Sequence, residues 1–209
     1  MKITIFGATG GTGRQLVQQA LAAGHEVTAF VRDPARLNYQ HGCLRIVQGD
    51  VTDPVAVEGA VTGAQAVISV LNTRGDAKGR PITQGTQNIL AAMRRSGVRR
   101  LVFSAPPSAR DTQDAPDLRY KLMISLVKLA AREGYEDLVG SAQAVRASDV
   151  DWTIVRLPFP IEQPKTGHVK VGYLNKKSGT RISRGDAAAF MLEEVQESKY
   201  LRQAPVISN

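Results

Sequence analysis

A glycine-rich segment near the start of the chain is the first place where the residue types indicate chemistry. The segment Gly7–Gly13, GATGGTG, follows a short apolar run and precedes a stretch with helical spacing. Where side chains are absent, backbone N–H groups can approach an anion closely, and a following helix adds the positive end of its dipole. This arrangement is typical of a turn that binds the pyrophosphate of a dinucleotide. The residues that we predict to bind it are Gly7, Thr9, Gly10, Gly11, Thr12 and Gly13.

The end of the second apolar run, His25 to Val31, indicates which dinucleotide is bound. Folds that prefer NAD place an acidic side chain here to bind the ribose 2′-hydroxyl. Val31 occupies that position, and Arg32 follows, with Arg36 a helical turn further on. A guanidinium suits a 2′-phosphate through charge-assisted hydrogen bonds. We therefore predict NADP(H), preferred over NAD(H); the alternative for Arg32 is an ordinary surface charge.

Two aspartates near this end each have two interpretations. Asp33 precedes Pro34, so it either caps a short helix or turns toward an NAD ribose. Asp50 follows the third apolar run and precedes Val51. It either accepts a hydrogen bond from the adenine amine or serves as a turn residue.

Strands must alternate with helices to position these residues. Continuous apolar runs separated by helical patterns are typical of a parallel sheet covered on both faces. The predicted fold is α/β: a doubly wound Rossmann-type parallel sheet in three αβα layers, with a small irregular C-terminal substrate region. Predicted strands are Ile3–Phe6, Val27–Val31, Leu44–Val47, Ala66–Val70, Leu101–Phe103 and Trp152–Val155. Predicted helices are Gly13–Ala22, Pro54–Ala60, Pro81–Arg95, a long one ending near Ala147, and one from about Gly185.

The length of 209 residues fits a single domain, 1–209, containing a substrate-side insertion at about 157–183. Prolines begin that insertion, and a small hairpin is predicted within 167–179.

One cysteine, Cys43, excludes an intramolecular disulfide, and we expect it to be buried or half-buried. With no predicted membrane span, the expectation is a cytoplasmic protein.

The net charge of +8 raises the question of nucleic acid binding. The basic residues are scattered, and no aromatic-interleaved basic motif or zinc-ligand cluster accompanies them. A basic surface also attracts anionic dinucleotides. We therefore expect neither nucleic acid nor a metal as the main ligand, and a monomer or homodimer.

Several of these stretches together resemble the atypical short-chain dehydrogenase/reductase group. The most similar branch is the NmrA-like one that includes biliverdin-IXβ reductase, or flavin reductase. The resemblance implies reduction of a flavin, quinone or related acceptor. The stretches that carry it are Gly7–Gly13, Val31–Asp33, Gly49–Val51, Leu71–Arg74, Trp152–Arg156 and Ile182–Asp186. It implies that NADPH binds through the glycine-turn residues, Arg32, Arg36, Asp50 and Val51, with Leu71, Asn72, Thr73 and Arg74 near the ribose and phosphates.

The acceptor side departs from the pattern. Most of the larger superfamily uses a Tyr-x-x-x-Lys pair for acid–base catalysis, but Val139 stands four residues after Tyr135. The serine of the flavin-reductase branch aligns with Pro106, so Ser104 is the candidate to contact the nicotinamide, or else bonds to the backbone. A pocket histidine of the branch is replaced by Phe159, which either stacks on a flat acceptor or packs in the core.

Three functions remain in order of preference. The first is an NADPH-dependent oxidoreductase that transfers hydride to a flavin, quinone or similar planar acceptor. The second is a non-catalytic NADP(H)-binding redox sensor that acts on a protein partner, favoured by the missing Tyr/Lys pair. The third is nucleic acid binding by the basic residues.

Overall fold

The computed structural model describes residues 1–73, 78–116, 118–175 and 178–209. Its central feature is an eight-stranded sheet of order β3-β2-β1-β4-β5-β6-β10-β8, beside a small sheet of β7 and β9. Neighbours in the large sheet pair in parallel, except for the antiparallel pair β10 and β8. The strands are β1 Lys2–Phe6, β2 Glu26–Val31, β3 Leu44–Gln48, β4 Ala66–Ser69, β5 Arg100–Ala105, β6 Asp151–Arg156, β7 Phe159–Ile161, β8 Lys170–Gly172, β9 Arg181–Ser183 and β10 Val206–Ser208.

Helices cover both faces of this sheet. Helix α1 packs on α6, whereas α3 packs on α2 and α5. A short 3-10 helix, Pro34–Leu37, follows β2. The α-helices are α1 Gly11–Ala22, α2 Pro54–Val61, α3 Pro81–Arg95, α4 Leu118–Ala130, α5 Arg132–Arg146 and α6 Arg184–Glu197.

Two hydrophobic clusters form the core, one on each face. Alternate residues of a strand point to opposite faces: Ile5 of β1 belongs to the cluster under α1 and α6, and Phe6 to the cluster under α2, α3 and α5. Burial on both faces explains why the central strands are continuous apolar runs. The doubly wound α/β prediction is confirmed.

The order of the strands fixes where a ligand can bind. The chain runs outward from β1 to β2 and β3, then crosses back to place β4 on the other side of β1. Parallel strands on either side of such a switch point leave a crevice at their carboxyl ends. Gly7 and Val70, the residues that follow β1 and β4, lie at this crevice.

Three local predictions were wrong. The predicted long helix is interrupted at Ala131, whose backbone dihedrals of φ −148° and ψ 54° are not helical, so α4 and α5 are separate. The predicted hairpin within 167–179 is absent from its described part, because β8 pairs with the distant β10. Cys43 is exposed, because it lies just before the edge strand β3.

A buried ion pair anchors the region between β5 and β8. Arg156 donates to both carboxylate oxygens of Asp114, over 2.6 and 2.7 Å, and both side chains are fully buried. Arg156 Nε also donates to the Ala204 carbonyl, and Asp114 accepts from the Leu174 N–H. The pair therefore joins β6, the loop after β5, and the segment beyond β8.

A second buried carboxylate anchors the chain before β8. Asp186, in the first turn of α6, accepts from the N–H groups of Thr166 and Gly167 and from the Thr166 hydroxyl. The side chain of Asn209 donates to it over 2.6 Å. These hydrogen bonds hold the pKa of Asp186 below its usual value, although burial opposes the shift. The segment before β8 is thus tied to α6.

Candidate functional site

A cleft of about 370 Å³ runs along the carboxyl ends of the parallel strands. This volume lies in the range of small-molecule sites. The cleft is lined by most of the residues that the sequence singled out, which come from the ends of several strands. The predicted residues that line it are Gly7, Thr9, Gly10, Gly11, Thr12, Gly13, Arg32, Arg36, Asp50, Val51, Leu71, Asn72, Thr73, Ser104 and Pro106. Arg74 lies outside the described residues.

The glycine turn requires residues without side chains. Gly7 has φ +82°, and a Cβ added to it would lie 2.7 Å from the Val70 carbonyl oxygen. A Cβ on Gly13 would lie 2.8 Å from Ala8 Cα, so α1 packs directly against the turn. These positions bring the start of α1 close to the ends of β1 and β4. A larger residue would displace the backbone that has to approach a phosphate.

The first turn of α1 is open to an anion. Its N-cap is Gly10, which makes no side-chain capping bond, and no acidic residue stands in the first turn. In contrast, Asp53 caps α2, Ser183 caps α6, and the carboxylate of Asp137 accepts from the N–H groups of Ile82 and Thr83 at the start of α3. The first N–H groups of a helix have no partner within it. Those of α1 are therefore suited to a pyrophosphate, which fits the turn by charge and by space.

The arginines at the end of β2 form the basic end of the cleft. Arg32 and Arg36 are both exposed and line it. The structure settles the two interpretations of Asp33 in favour of capping, because its Oδ1 accepts from the Ala35 N–H over 3.1 Å. Asp33 is not among the residues that line the cleft. The basic end is thus suited to an additional phosphate.

Asp50 has the hydrogen bonds of a turn residue and still lines the cleft. Its Oδ1 accepts from the N–H and the hydroxyl of Thr52, over 2.9 and 2.7 Å. Those two bonds hold the pKa of Asp50 below its usual value; burial opposes the shift, and the charge of Arg32 adds the smallest lowering effect. A carboxylate that stays ionised is a hydrogen-bond acceptor only. Asp50 can therefore accept from an amine but cannot donate.

The other end of the cleft is formed by apolar and proline residues. Ser104 lies half-buried near the end of β5 and lines the cleft beside Pro106. Phe159, however, is 52% exposed and is not among the lining residues, whereas Pro158 and Pro160 are. Side chains alternate along β7, so Phe159 points to the opposite side from its neighbours. Phe159 therefore neither packs in the core nor lines the described cleft, so its placement matches neither of the two predicted interpretations.

The described lining residues of this end include no candidate proton donor stronger than a serine. Tyr135 does not line the cleft; the Lys128 ammonium lies over its ring, 4.9 Å from the centroid. The charged residues that line the described part of the cleft are Arg32, Arg36, Asp50 and Arg184. No described group of His, Cys, Asp and Glu side chains could hold a metal ion. Among the residues that the structure describes, no helix has the length and apolar character needed to cross a bilayer.

Sequence reasoning missed one charged residue of the site. Arg184 begins α6, and its side chain lies over Gly11, where a Cβ would come within 2.5 Å of Arg184 Cδ. Arg184 belongs to the stretch Ile182–Asp186, which carries part of the family resemblance. Because it is far from the glycine turn in the chain, nothing in the local sequence indicates that the two are close in space. Arg184 reaches the turn because α6 packs on α1, a tertiary contact that the sequence does not show.

A family model described as NAD(P)H-binding matches residues 7–198. The chain belongs to this NAD(P)H-binding family. The match spans the glycine turn, the cleft and α6, so the predicted membership of a nicotinamide-dinucleotide family is confirmed.

Curated relatives of this NAD(P)H-binding chain are longer proteins. A (4-alkanoyl-5-oxo-2,5-dihydrofuran-3-yl)methyl phosphate reductase of Streptomyces griseus is 32% identical over 154 residues, which cover 74% of the chain and 46% of the relative. An uncharacterised protein of Mycobacterium tuberculosis is 36% identical over 105 residues, 50% of the chain and 12% of the relative. The chain thus spans less than half the length of these relatives.

Solved structures share the fold over the whole chain. An oxidoreductase of Lactococcus lactis superposes with a TM-score of 0.82 at 19% identity, covering 100% of this chain and 91% of the other. A short-chain dehydrogenase/reductase of Veillonella parvula, solved in complex with NADP, gives a TM-score of 0.80 at 18% identity, covering 100% and 94%. At these identities the likeness establishes the fold.

Proposed function

We propose that the chain is an NADPH-dependent oxidoreductase that transfers a hydride to a flavin, a quinone or a similar planar acceptor. The observation that carries the proposal is that the cleft is continuous. It runs from Arg32 past the uncapped start of α1 to Ser104 and to the lining prolines Pro106, Pro158 and Pro160. Arg32 and Arg36 would hold a 2′-phosphate, the amides of α1 the pyrophosphate, and Ser104 would lie at the nicotinamide end.

The basic end of the cleft supports the preference for NADP(H) over NAD(H). Recognition of NAD requires an acceptor for the ribose 2′-hydroxyl at the end of β2. Val31 is apolar there, and the carboxylate of Asp33 is engaged with the Ala35 N–H. Two exposed guanidinium groups close to that position favour a phosphate instead, because a guanidinium has no acceptor to offer a hydroxyl.

The apolar end supports a planar acceptor that needs little acid catalysis. When bound, the reduced nicotinamide supplies the hydride. The chain contributes flat surfaces at Pro106, Leu157 and Pro158, which orient an acceptor and exclude water. Ser104 is the hydroxyl at this end that can hydrogen-bond to a carbonyl or ring nitrogen. Conjugated acceptors such as flavins and quinones take up hydride with little help from an enzymic acid. The reductase named among the relatives supports the reaction class.

The test is a fluorescence titration of the purified chain with NADPH and NADH, followed by addition of flavin mononucleotide or a quinone. We expect tight binding of NADPH, weaker binding of NADH, and acceptor-dependent loss of NADPH fluorescence. Arg32→Met should weaken NADPH binding by about tenfold to a hundredfold and change NADH binding little, since one charge-assisted contact is lost. Arg45→Met, an exposed arginine outside the lining of the cleft, is the control. Equal losses for both dinucleotides in the Arg32 variant would remove the 2′-phosphate interpretation.

A second candidate is a non-catalytic redox sensor that binds NADP(H) and signals to a protein partner. The observation that favours it is the lack of an acid–base pair among the described residues of the cleft. A sensor should distinguish NADP⁺ from NADPH by affinity, and should oxidise no NADPH with any acceptor of a broad panel. Turnover with a flavin or quinone at a rate above that of free solution would exclude the sensor as the main function.

A further inference from the structure

The side chain of Arg184 lies over Gly11, in the glycine turn where α1 begins. A Cβ on Gly11 would lie 2.5 Å from Arg184 Cδ and 2.7 Å from Arg184 Cζ, so the guanidinium rests on the space that this glycine leaves. Arg32 and Arg36 are at the other end, beyond β2. Among the charged residues that line the described part of the cleft, Arg184 is therefore the cation beside the turn.

The guanidinium has an internal anion as its partner. Arg184 Nη1 forms an ion pair with Glu162 Oε2, and the exposed fraction of the Glu162 side chain is 74% against 31% for Arg184. An exposed ion pair is weak, because water solvates both charges and the side chains lose freedom. A pyrophosphate would make charge-assisted hydrogen bonds to the same half-buried guanidinium and would also accept from the uncapped amides of α1, so it has more partners at this point than Glu162 has. The pair is thus placed where a stronger anion can displace Glu162.

We infer that Arg184 binds the pyrophosphate of the dinucleotide beside the first turn of α1, and that Glu162 holds the guanidinium there until the pyrophosphate replaces it. The inference rests on the proposed dinucleotide site. It adds a binding residue from α6, remote in sequence from the glycine turn, and an anion that competes with the ligand. Gly11 is needed for this arrangement, since a side chain at that position would push the guanidinium away.

The exchange also connects the two ends of the cleft. Glu162 follows β7 directly, and Pro160 of β7 lines the acceptor end. When the pyrophosphate takes over Arg184, the segment after β7 loses its ion pair to α6. Binding of the dinucleotide would therefore remove one contact that holds the segment after β7 to α6.

Two fragments of NADP separate this role from that of Arg32. ADP-ribose carries the pyrophosphate without a 2′-phosphate, and adenosine 2′-monophosphate carries the 2′-phosphate without the pyrophosphate. Isothermal titration calorimetry would compare their affinities for the wild type, Arg184→Met, Arg184→Lys and Glu162→Gln. Arg32→Met serves as the matched control, with the opposite expected pattern.

We expect Arg184→Met to weaken ADP-ribose binding by about tenfold to a hundredfold and to leave adenosine 2′-monophosphate unchanged. Arg184→Lys keeps the charge without the planar fork and should give an intermediate loss. Glu162→Gln should bind ADP-ribose about two- to fivefold more tightly, because the weak competing pair is removed. This variant keeps Arg184, so it tests the inference even if Arg184→Met does not fold.

Wild-type affinity of Arg184→Met for ADP-ribose, or an equal loss for both fragments, would overturn the binding role. Unchanged affinity in Glu162→Gln would overturn the competition. Failure of the proposed function has a different signature: a wild-type chain that binds ADP-ribose but oxidises no NADPH with any acceptor leaves the role of Arg184 intact and removes the reductase.

Discussion

The two ends of the cleft are constructed by different physical means. At the phosphate end, backbone sterics determine the structure: Gly7 and Gly13 leave no space for a side chain between β1, α1 and β4. At the acceptor end, short strands and loops are held by buried polar contacts, chiefly Arg156 with Asp114 and Asp186 with the 166–167 backbone. The first kind of constraint can be recognised in a local sequence. The second depends on partners far apart in the chain.

The sharpest test of this comparison removes the buried carboxylate from the acceptor side. Asp114→Ala leaves the Arg156 guanidinium buried without a counter-charge, and should lower the free energy of unfolding by about 3–5 kcal/mol. The control Glu58→Gln breaks the exposed pair of Glu58 with Arg95, and should cost about 1 kcal/mol at most. Urea unfolding followed by circular dichroism measures both. Similar values for the two variants would contradict the anchoring role of Asp114.

A smaller effect is expected at the phosphate end. In Gly13→Ala the new Cβ would overlap the backbone of Ala8, which cannot move without shifting the turn, so the free energy of unfolding should fall by about 1–3 kcal/mol. Gly59→Ala in α2 is the matched control, since its Cβ meets nothing within 4 Å and alanine favours a helix by about 0.5–1 kcal/mol. The two substitutions should therefore have opposite signs in the same unfolding assay. A gain in both would mean that the turn is less constrained than its contacts indicate.

The smallest expected effect is a difference in acid sensitivity. Hydrogen bonds from Arg156 and from the backbone hold the pKa of Asp114 below its usual value, although burial, the largest single influence, opposes the shift. A carboxyl with a lowered folded-state pKa contributes stability above its unfolded pKa of about 3.9, and this is lost as the pH falls further toward the folded pKa. The wild type should thus lose more stability below about pH 4 than Asp114→Asn does. Parallel pH profiles of thermal unfolding for the two proteins would refute this assignment.

The elements of the fold could be predicted where the signal is local. Helix α3 begins at Pro81 and ends at Arg95 as expected, because proline marks its first turn and the apolar spacing continues to the last. The strands β1 to β6 contain apolar runs that can be recognised without knowledge of their partners. In contrast, β8 and β10 are three-residue strands that pair with each other across about thirty-five residues, and β7 pairs with β9 across a segment that contains β8. Such short strands have no period that a sequence reader can detect.

The candidate site divides in the same way. The glycine turn and Arg32 follow strands directly, and Ser104 lies near the end of β5, so strand order alone brings them to one edge of the sheet. Arg184 reaches the turn because α6 packs on α1, a contact between segments more than 160 residues apart, as the hydrogen bond from Gln19 to Gly185 illustrates with its separation of 166. The position of Phe159 depended on the register of a three-residue strand. Long-range packing therefore sets what local sequence reasoning leaves out.

The uncapped start of α1 has a consequence for the lifetime of the folded chain. Helix amides without a capping side chain reduce stability by an amount that a bound anion restores. A ligand that binds only the folded state lowers the unfolded population by the factor 1 + [L]/Kd, and proteases act on the opened fraction. Resistance to proteolysis should therefore follow the concentration of the anionic ligand, so that turnover of the chain reports how much of that ligand is available.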